Sequence, residues 1–198
     1  MNDNFDRWID FLDPENLKGH LISSALYIAV YESFTDYVID EVKFFFNTGF
    51  NENGFTFSDS YEKSVLTKDK RIINASLLWL KEITAISESD IETFNEIRSF
   101  RNKLTHELMD LLFKGLPPDF PQKFADLIAL RIKIERWWIL NVEIPTNPDS
   151  ENLKNIEEKD IITGSEMIYR IIMDMLTYDE KTANYYRNEF QKYRFHKN

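Results

Sequence analysis

Residues 14–46 read PENLKGHLISSALYIAVYESFTDYVIDEVKFFF, and this stretch decides the fold. Asp13 and Pro14 are typical of a helix start, because an Asp side chain can cap free backbone N–H groups and proline fits the first helical turn. Apolar residues then recur at intervals of three and four, with acidic residues between them. They are Leu21, Ile22, Ala25, Ile28, Ala29, Phe34, Val38, Val42 and Phe45. The stretch therefore predicts one long amphipathic helix that forms the spine of the protein.

Shorter helical patterns lie on both sides of this spine. The apolar period predicts helices over residues 3–12, 67–86 and 121–141. Residues 47–60 hold two glycines among Asn and Asp, which predicts a loop with one short extended piece. Two Thr-x-x-Glu capping boxes, at 163–166 and 177–180, predict two further helices. The predicted fold class is all-α: an up-down helical bundle with additional helices at the C-terminal end.

The composition predicts a single helical domain over residues 1–198, because 43% apolar and 15% aromatic residues supply a large core. The sequence has no cysteine, which excludes disulfides, thiolate zinc sites and cysteine nucleophiles and agrees with a reducing compartment. The first residues lack the basic head and apolar run of a signal peptide, and no apolar run approaches the roughly 20 residues of a membrane span. We therefore expect a soluble, cytoplasmic protein that does not contact a membrane.

The formal charge of -10 limits how the chain can bind nucleic acid. Coating RNA or DNA through a broad basic surface requires many contacts between Lys or Arg and phosphate groups, and this composition argues against it. A small site that holds one or two phosphates needs only a few arginines. The charge is therefore compatible with a local phosphate site on an otherwise acidic protein.

A second stretch, Arg98-Ser-Phe-Arg-Asn-Lys-Leu-Thr-His106, is the part of the sequence that suggests chemistry. We expect it in the middle of a long helix that starts at a Ser-x-x-Glu capping box formed by Ser89 and Glu92. Gly115 and the two prolines after it predict that this helix ends after Phe113.

Helix geometry decides which of these side chains can act together. Arg101 and His106 are five residues apart, which separates them by about 140° around the axis and about 7.5 Å along it. Asn102 and His106 are four apart and share one face, and Arg98 lies one turn earlier on that face. The stretch therefore predicts a polar stripe of Arg98, Asn102 and His106, with the long Arg101 side chain at its edge.

Arginine and histidine in this arrangement suit phosphodiester cleavage. Arginine binds phosphate with a planar charged fork, and histidine can transfer a proton near neutral pH. An RNA substrate supplies its own nucleophile, the ribose 2′-hydroxyl, so the reaction needs neither a metal ion nor a cofactor. One chain supplies a single pair of this kind. A complete acid and base set therefore favours two copies facing each other.

Two alternative interpretations stay open at this point. The basic residues of the stretch can form a solvated helix face that pairs with Glu96 and Glu107, with His106 as a capping or partly buried residue. Metal-dependent catalysis is disfavoured, because the Asp and Glu residues are scattered and the sequence lacks a His-x-x-x-His or paired Glu-x-x-His pattern.

The residues Arg101-Asn-Lys-Leu-Thr-His106 resemble the Arg-Asn-x-x-x-His motif of the HEPN superfamily (higher eukaryotes and prokaryotes nucleotide-binding). The resemblance implies a helical bundle over about residues 14–141, with a helical extension over about 160–198. It also implies a homodimer in which two motifs meet to form a metal-independent endoribonuclease. Bacterial proteins of this kind commonly act as toxins or in abortive infection against phage, and an antitoxin or regulatory protein is then a possible partner.

The resemblance also implies roles for individual residues. Arg101 would bind phosphate, His106 would transfer protons and Asn102 would orient the site. Many family members use a polar residue from an earlier helix, for which Glu32 and Asp36 are the candidates because they interrupt an apolar helix. Further candidates for substrate binding are Arg98 and Lys103. A non-catalytic helical module that binds a nucleotide or a protein is the alternative function.

Overall fold

The computed structural model describes residues 3–52, 54–153, 156–177 and 185–195. Within these ranges the chain is all-α apart from one two-stranded hairpin, which confirms the predicted fold class. The α-helices are α1 (Asp3–Leu12), α2 (Pro14–Phe45), α3 (Asp59–Tyr61), α4 (Ile72–Glu82), α5 (Glu88–His106), α6 (Leu108–Lys114), α7 (Phe120–Trp138), α8 (Ile144–Thr146), α9 (Gly164–Thr177) and α10 (Tyr185–Phe195). The strands are β1 (Asn47–Asn51) and β2 (Gly54–Phe57). Across the described ranges, no helix is both long and apolar enough to cross a lipid bilayer.

The chain forms two compact units, Met1–Ile134 and Glu135–Asn198, whose boundary falls inside α7. The first unit holds the spine and the Arg98–His106 stretch. The predicted additional helices near the C-terminus are present in the second unit as α9 and α10. The single domain over 1–198, with its division at 14–141 and 160–198, stays a prediction.

The spine helix α2 begins as the sequence predicts. The backbone N–H of Glu15 donates to Asp13 Oδ1 at 2.9 Å, and Pro14 occupies the first turn. The helix continues for 32 residues, which corresponds to a rod about 48 Å long. Contacts with α1, α4, α5 and α6 make it the element on which the first unit is built.

The predicted apolar face is right for Phe34, Val38 and Val42 in the second half of α2, but Phe45 near the end of the helix is exposed and most of the first half is wrong. In the first half, Leu21 and Ile22 are exposed, whereas Tyr27 is fully buried. The Tyr27 hydroxyl donates to the Ile97 carbonyl oxygen at 3.2 Å, and its ring centroid lies 5.2 Å from that of Phe100. This buried tyrosine therefore connects α2 to α5, and burial raises its pKa above the ordinary value.

The region between α2 and α4 is more ordered than predicted. In place of a loop with one extended piece, β1 and β2 form an antiparallel hairpin in which Phe50 lies opposite Phe55. A π-helix over Glu62–Leu66 follows. The backbone N–H of Arg71 then donates to Asp69 Oδ1 at 2.7 Å, and α4 starts at the next residue. The helix predicted over 67–86 is therefore shorter, because this Asx turn delays its start to Ile72, and it also ends earlier, at Glu82.

The start of α5 corrects the predicted capping box. Ser87, not Ser89, is the N-cap, and the reciprocal partner is Asp90, not Glu92. Ser87 Oγ accepts from the Asp90 N–H at 3.3 Å, and the Ser87 N–H donates to Asp90 Oδ2 at 2.7 Å. Lys133 of α7 also donates to Asp90 Oδ2, at 2.6 Å. This tertiary contact favours the earlier of two similar Ser-x-x-acid patterns.

The end of α5 is also different, because the helix stops at His106 instead of continuing to Phe113. Glu107 has φ −114° and ψ 16°, and its N–H donates to the Lys103 carbonyl oxygen at 2.9 Å. The chain re-enters a helix in α6, where the Phe113 ring packs 4.9 Å from that of Trp8 in α1. The motif therefore lies at the C-terminal end of a helix rather than in its middle.

In the second unit, the predicted helix start at 163–166 is confirmed. Its capping box is only half formed, because the Glu166 side chain has other partners. The backbone N–H of Glu166 donates to Thr163 Oγ1 at 3.1 Å. The Glu166 carboxylate accepts instead from Arg136 at 3.0 Å and from Arg170 at 2.6 Å. The second predicted box, at 177–180, extends outside the described residues.

Candidate active site

The side-by-side packing of α2 and α5 brings Glu32 to Arg101. Arg101 Nε donates to Glu32 Oε1 at 2.8 Å, and Arg101 Nη2 donates to the same oxygen. Glu32 follows the buried residue Tyr31 on α2, so its side chain emerges at the edge of the core. The structure therefore places one of the two predicted supporting residues directly on the motif arginine.

Two further contacts fix the plane of the Arg101 guanidinium. Its Cζ lies 5.6 Å from the ring centroid of Tyr31, and Nη1 lies 3.4 Å from Asn102 Oδ1. A guanidinium has five N–H donors, of which Glu32 takes one from Nε and one from Nη2 and Asn102 takes one from Nη1. One donor therefore remains on each of Nη1 and Nη2, the two nitrogens with which an arginine can bind a phosphate or carboxylate.

The ion pair orients Arg101 more than it stabilises the protein. The Arg101 side chain is 27% exposed and the Glu32 side chain 47% exposed. Pairs that are this accessible to water contribute about 0–1 kcal/mol, because solvent screens the attraction and the side chains lose conformational freedom. The carboxylate also reduces the attraction of Arg101 for an anion. Glu32 therefore improves the geometry of a phosphate site and weakens its affinity.

Asn102 and His106 are both exposed on α5, and their spacing of four residues places them on one face as predicted. His106 is the last residue of the helix. Its imidazole forms neither a hydrogen bond nor an ion pair with any other residue in the part of the chain that the structure describes. The structure therefore joins Arg101, Asn102 and Glu32, and it leaves His106 free to contact a second molecule.

Arg98 extends from α5 towards α4. Its Nη1 donates to Asn74 Oδ1 at 3.0 Å, and its Nη2 donates to Asn95 Oδ1 at 2.9 Å. The guanidinium also lies 5.8 Å from the ring centroid of Phe94. Both hydrogen-bond acceptors are neutral amides, so no described carboxylate pairs with Arg98, whereas Glu32 pairs with Arg101.

Lys103 and Asp36 are not brought to Arg101. Lys103 is 200° from Arg101 around α5, and it lines a separate groove of about 460 Å³ that also contains Glu96 and Asp119. Asp36 is exposed on α2, one turn beyond Glu32, and no contact joins it to the motif residues. Of the two candidates for a supporting residue, only Glu32 touches the motif.

The solvated-face interpretation required ion pairs that the described part of the chain does not contain. Glu96 pairs with Lys123 at 2.5 Å, and Glu107 forms no ion pair with any described residue. Likewise, the described ranges contain no group of three or more His, Asp or Glu side chains that could hold a metal ion.

Sequence reasoning missed three residues that hold the arginines in place. Tyr31, Asn74 and Asn95 contact Arg101 or Arg98 through a ring face or an amide oxygen. One signal was present, because Asn74 is a polar residue inside the apolar run of α4. Tyr31 gave no such signal, because a tyrosine in an apolar helix is as typical of a hydrophobic core as of a functional site.

Comparisons with protein-family models, with curated proteins and with solved structures find no match to this chain. Function is therefore inferred from the side chains and their geometry alone.

Proposed function

We propose that this protein is a metal-independent endoribonuclease of the HEPN kind, in which two copies of the chain contribute Arg101, Asn102 and His106 to a shared cleft. The observation that supports the proposal is the orientation of the Arg101 guanidinium next to Asn102. Glu32 and Tyr31 orient its guanidinium, and its Nη1 donates to Asn102. The same helix ends in His106, which is exposed and forms no hydrogen bond or ion pair with another described residue.

The reaction follows from these groups. His106 of one copy removes the proton from a ribose 2′-hydroxyl, and the oxygen attacks the adjacent phosphorus. The bond from phosphorus to the 5′-oxygen breaks, and the leaving oxygen takes a proton from the partner's His106. Arg101 stabilises the charge that develops on the phosphoryl oxygens. The products are a 2′,3′-cyclic phosphate and a free 5′-hydroxyl.

A dimer is required because one chain has one imidazole at the motif. Arg101 leans towards α2, whereas Asn102 and His106 face away from the bundle on α5. A two-fold axis beside this exposed face would bring two imidazoles and two guanidiniums to one phosphate. The proposal extends to a cytoplasmic toxin or anti-phage protein, whose activity an antitoxin or regulatory protein would restrain.

A second candidate function has one observation in its favour. Arg101 already has a carboxylate partner, so the motif can serve to join α2 to α5 without chemistry. In that case the chain is a helical module that binds a nucleotide or a protein and cleaves nothing.

Cleavage of RNA in the presence of a metal chelator separates the two candidates. We expect the purified protein to cleave RNA with EDTA present, and we expect Arg101→Ala and His106→Ala each to reduce the rate by at least about 100-fold. Lys18→Ala is the matched control, because Lys18 is an exposed cation paired only with Glu15. A wild-type protein that cleaves no RNA, together with a His106→Ala variant that arrests cell growth as strongly as wild type, would overturn the proposal.

A further inference from the structure

The groove at the start of α4 holds two cations, Lys70 and Arg71, that form no ion pair with a carboxylate of the described residues. It has a volume of about 620 Å³ and is lined by residues 66–71 and Asn74. Lys70 and Arg71 are exposed, and neither side chain forms an ion pair or hydrogen bond with another described residue. Lys68 differs, because Glu82 pairs with it.

The groove adjoins the candidate active site through Asn74. Asn74 Oδ1 accepts from Arg98 at 3.0 Å, and Asn74 Nδ2 donates to Asp69 Oδ1 at 3.3 Å. The same Asp69 oxygen accepts from the Arg71 backbone N–H. The only carboxylate in the groove is therefore held by the turn that starts α4. Asn74 therefore joins Arg98 of the candidate site to the turn that carries Lys70 and Arg71.

Tyr31 is a second link between this turn and Arg101, because its ring centroid lies 5.6 Å from Arg101 Cζ and the Arg71 charge acts on its hydroxyl. Burial raises the pKa of the Tyr31 hydroxyl, and the positive charges of Arg98, Arg101 and Arg71 act in the opposite direction. Two guanidiniums of α5 and one of the turn before α4 therefore act on this phenol, while the Glu32 carboxylate acts on its pKa in the same direction as burial.

We infer that the groove formed by Lys70, Arg71 and Asn74 binds the ribose-phosphate backbone of single-stranded RNA on one side of the cleaved bond. This inference rests on the proposed function. The groove carries charge and polar groups, and among its lining residues Leu66 is the only large apolar side chain. It therefore holds phosphates without stacking platforms for bases, and it makes the protein prefer longer RNA without selecting its sequence.

Binding and cleavage are measured with the double variant Lys70→Ala/Arg71→Ala. For an uncleavable 2′-O-methyl oligonucleotide of about 12 nucleotides, we expect roughly tenfold weaker binding and a salt slope smaller by about 1.4, because two phosphate contacts are lost. For cleavable RNA of that length KM should rise with kcat unchanged, and a dinucleotide substrate should be unaffected. The control is Lys18→Ala/Lys192→Ala, which removes the same charge from exposed residues elsewhere.

The two proposals fail in different ways. Unchanged binding and an unchanged salt slope in the double variant would overturn the groove inference even if RNA is cleaved. An equal rise of KM for the dinucleotide substrate would also overturn it. If the wild type cleaves nothing and yet binds the uncleavable oligonucleotide through Lys70 and Arg71, the groove stands and the nuclease proposal fails.

Discussion

Glu32 and Arg101 are 69 residues apart in sequence, and two nitrogens of the guanidinium donate to a single oxygen of the carboxylate. The pair lies where α2 and α5 pack together, and the Arg101 side chain stays 27% exposed beside Asn102. The same carboxylate therefore holds the arginine in position and competes with a phosphate for it.

Substitution of Glu32 should separate these two effects. Glu32→Gln keeps an oxygen that accepts from Arg101 and removes the negative charge, so KM for RNA should fall. Glu32→Ala also removes the acceptor, and kcat should fall by about 10- to 100-fold because the guanidinium is no longer oriented. Steady-state kinetics test both changes, and thermal unfolding should shift little because the pair is exposed to water. Full activity in Glu32→Ala would contradict the orienting role.

A mixing experiment tests whether the cleft is shared between two chains. Wild-type and His106→Ala subunits are unfolded together and refolded in different ratios. If cleavage needs both imidazoles, equal amounts should leave about one quarter of the activity, since only dimers of two wild-type chains are active. Independent monomers would instead leave about one half. The initial rate of RNA cleavage, plotted against the wild-type fraction, distinguishes a squared from a linear dependence.

The start of α5 allows a comparison of two neighbouring serines. Ser87→Ala should lower the free energy of unfolding by about 1 kcal/mol, because Ser87 Oγ caps the helix. Ser89→Ala should change it by much less, since Ser89 contacts only the Ser87 hydroxyl through its side chain oxygen. Urea unfolding measures both variants. Equal losses would show that the cap is not at Ser87.

The pKa of the Asp90 carboxyl predicts how the stability of the protein changes in acid. Burial acts to raise its pKa, but hydrogen bonds from Lys133 and Ser87 outweigh burial and hold the pKa below the ordinary value of 3.8. A carboxyl with a lowered pKa in the folded state stabilises the protein above the unfolded pKa, and this contribution is lost as the pH falls through the folded pKa.

We therefore expect Asp90→Asn to lower the free energy of unfolding by about 1–2 kcal/mol at pH 7, and by progressively less as the pH falls below about 4. Urea unfolding from pH 7 to pH 2.5 measures the difference from wild type, with the exposed residue Asp36, as Asp36→Asn, as the control. A difference that stays constant with pH would contradict the role of the ionised carboxylate.

Local signals in the sequence predicted the fold well where the physical cause was local. Asp13 and Pro14 set the start of α2, since a cap and a proline act on the nearest backbone groups. The break after His106 was missed because the residues there include neither glycine nor proline. It depends on the packing of Phe113 against α1, which the local pattern does not contain.

The candidate site, too, could be predicted from the sequence only where its cause is local. Arg101, Asn102 and His106 stand in one motif and could be found from their spacing. Glu32 could only be one of two candidates, because the choice between it and Asp36 depends on how α2 is rotated against α5. Tyr27 fixes that rotation through the hydrogen bond from its hydroxyl to the Ile97 carbonyl oxygen. The sequence pattern does not indicate this bond, because a tyrosine in an apolar helix can have its hydroxyl buried or exposed.

Because the contact between Glu32 and Arg101 depends on how α2 is rotated, the segment between Tyr27 and Glu32 should not tolerate insertions or deletions. Inserting one residue there would turn Glu32 by about 100° and move it about 1.5 Å along α2, away from Arg101, with no change in composition. The hairpin of β1 and β2 comes after the site on the chain and contributes no residue to it, so its length can vary freely. Among related chains, insertions and deletions should therefore accumulate in the hairpin and be absent from this single turn of α2.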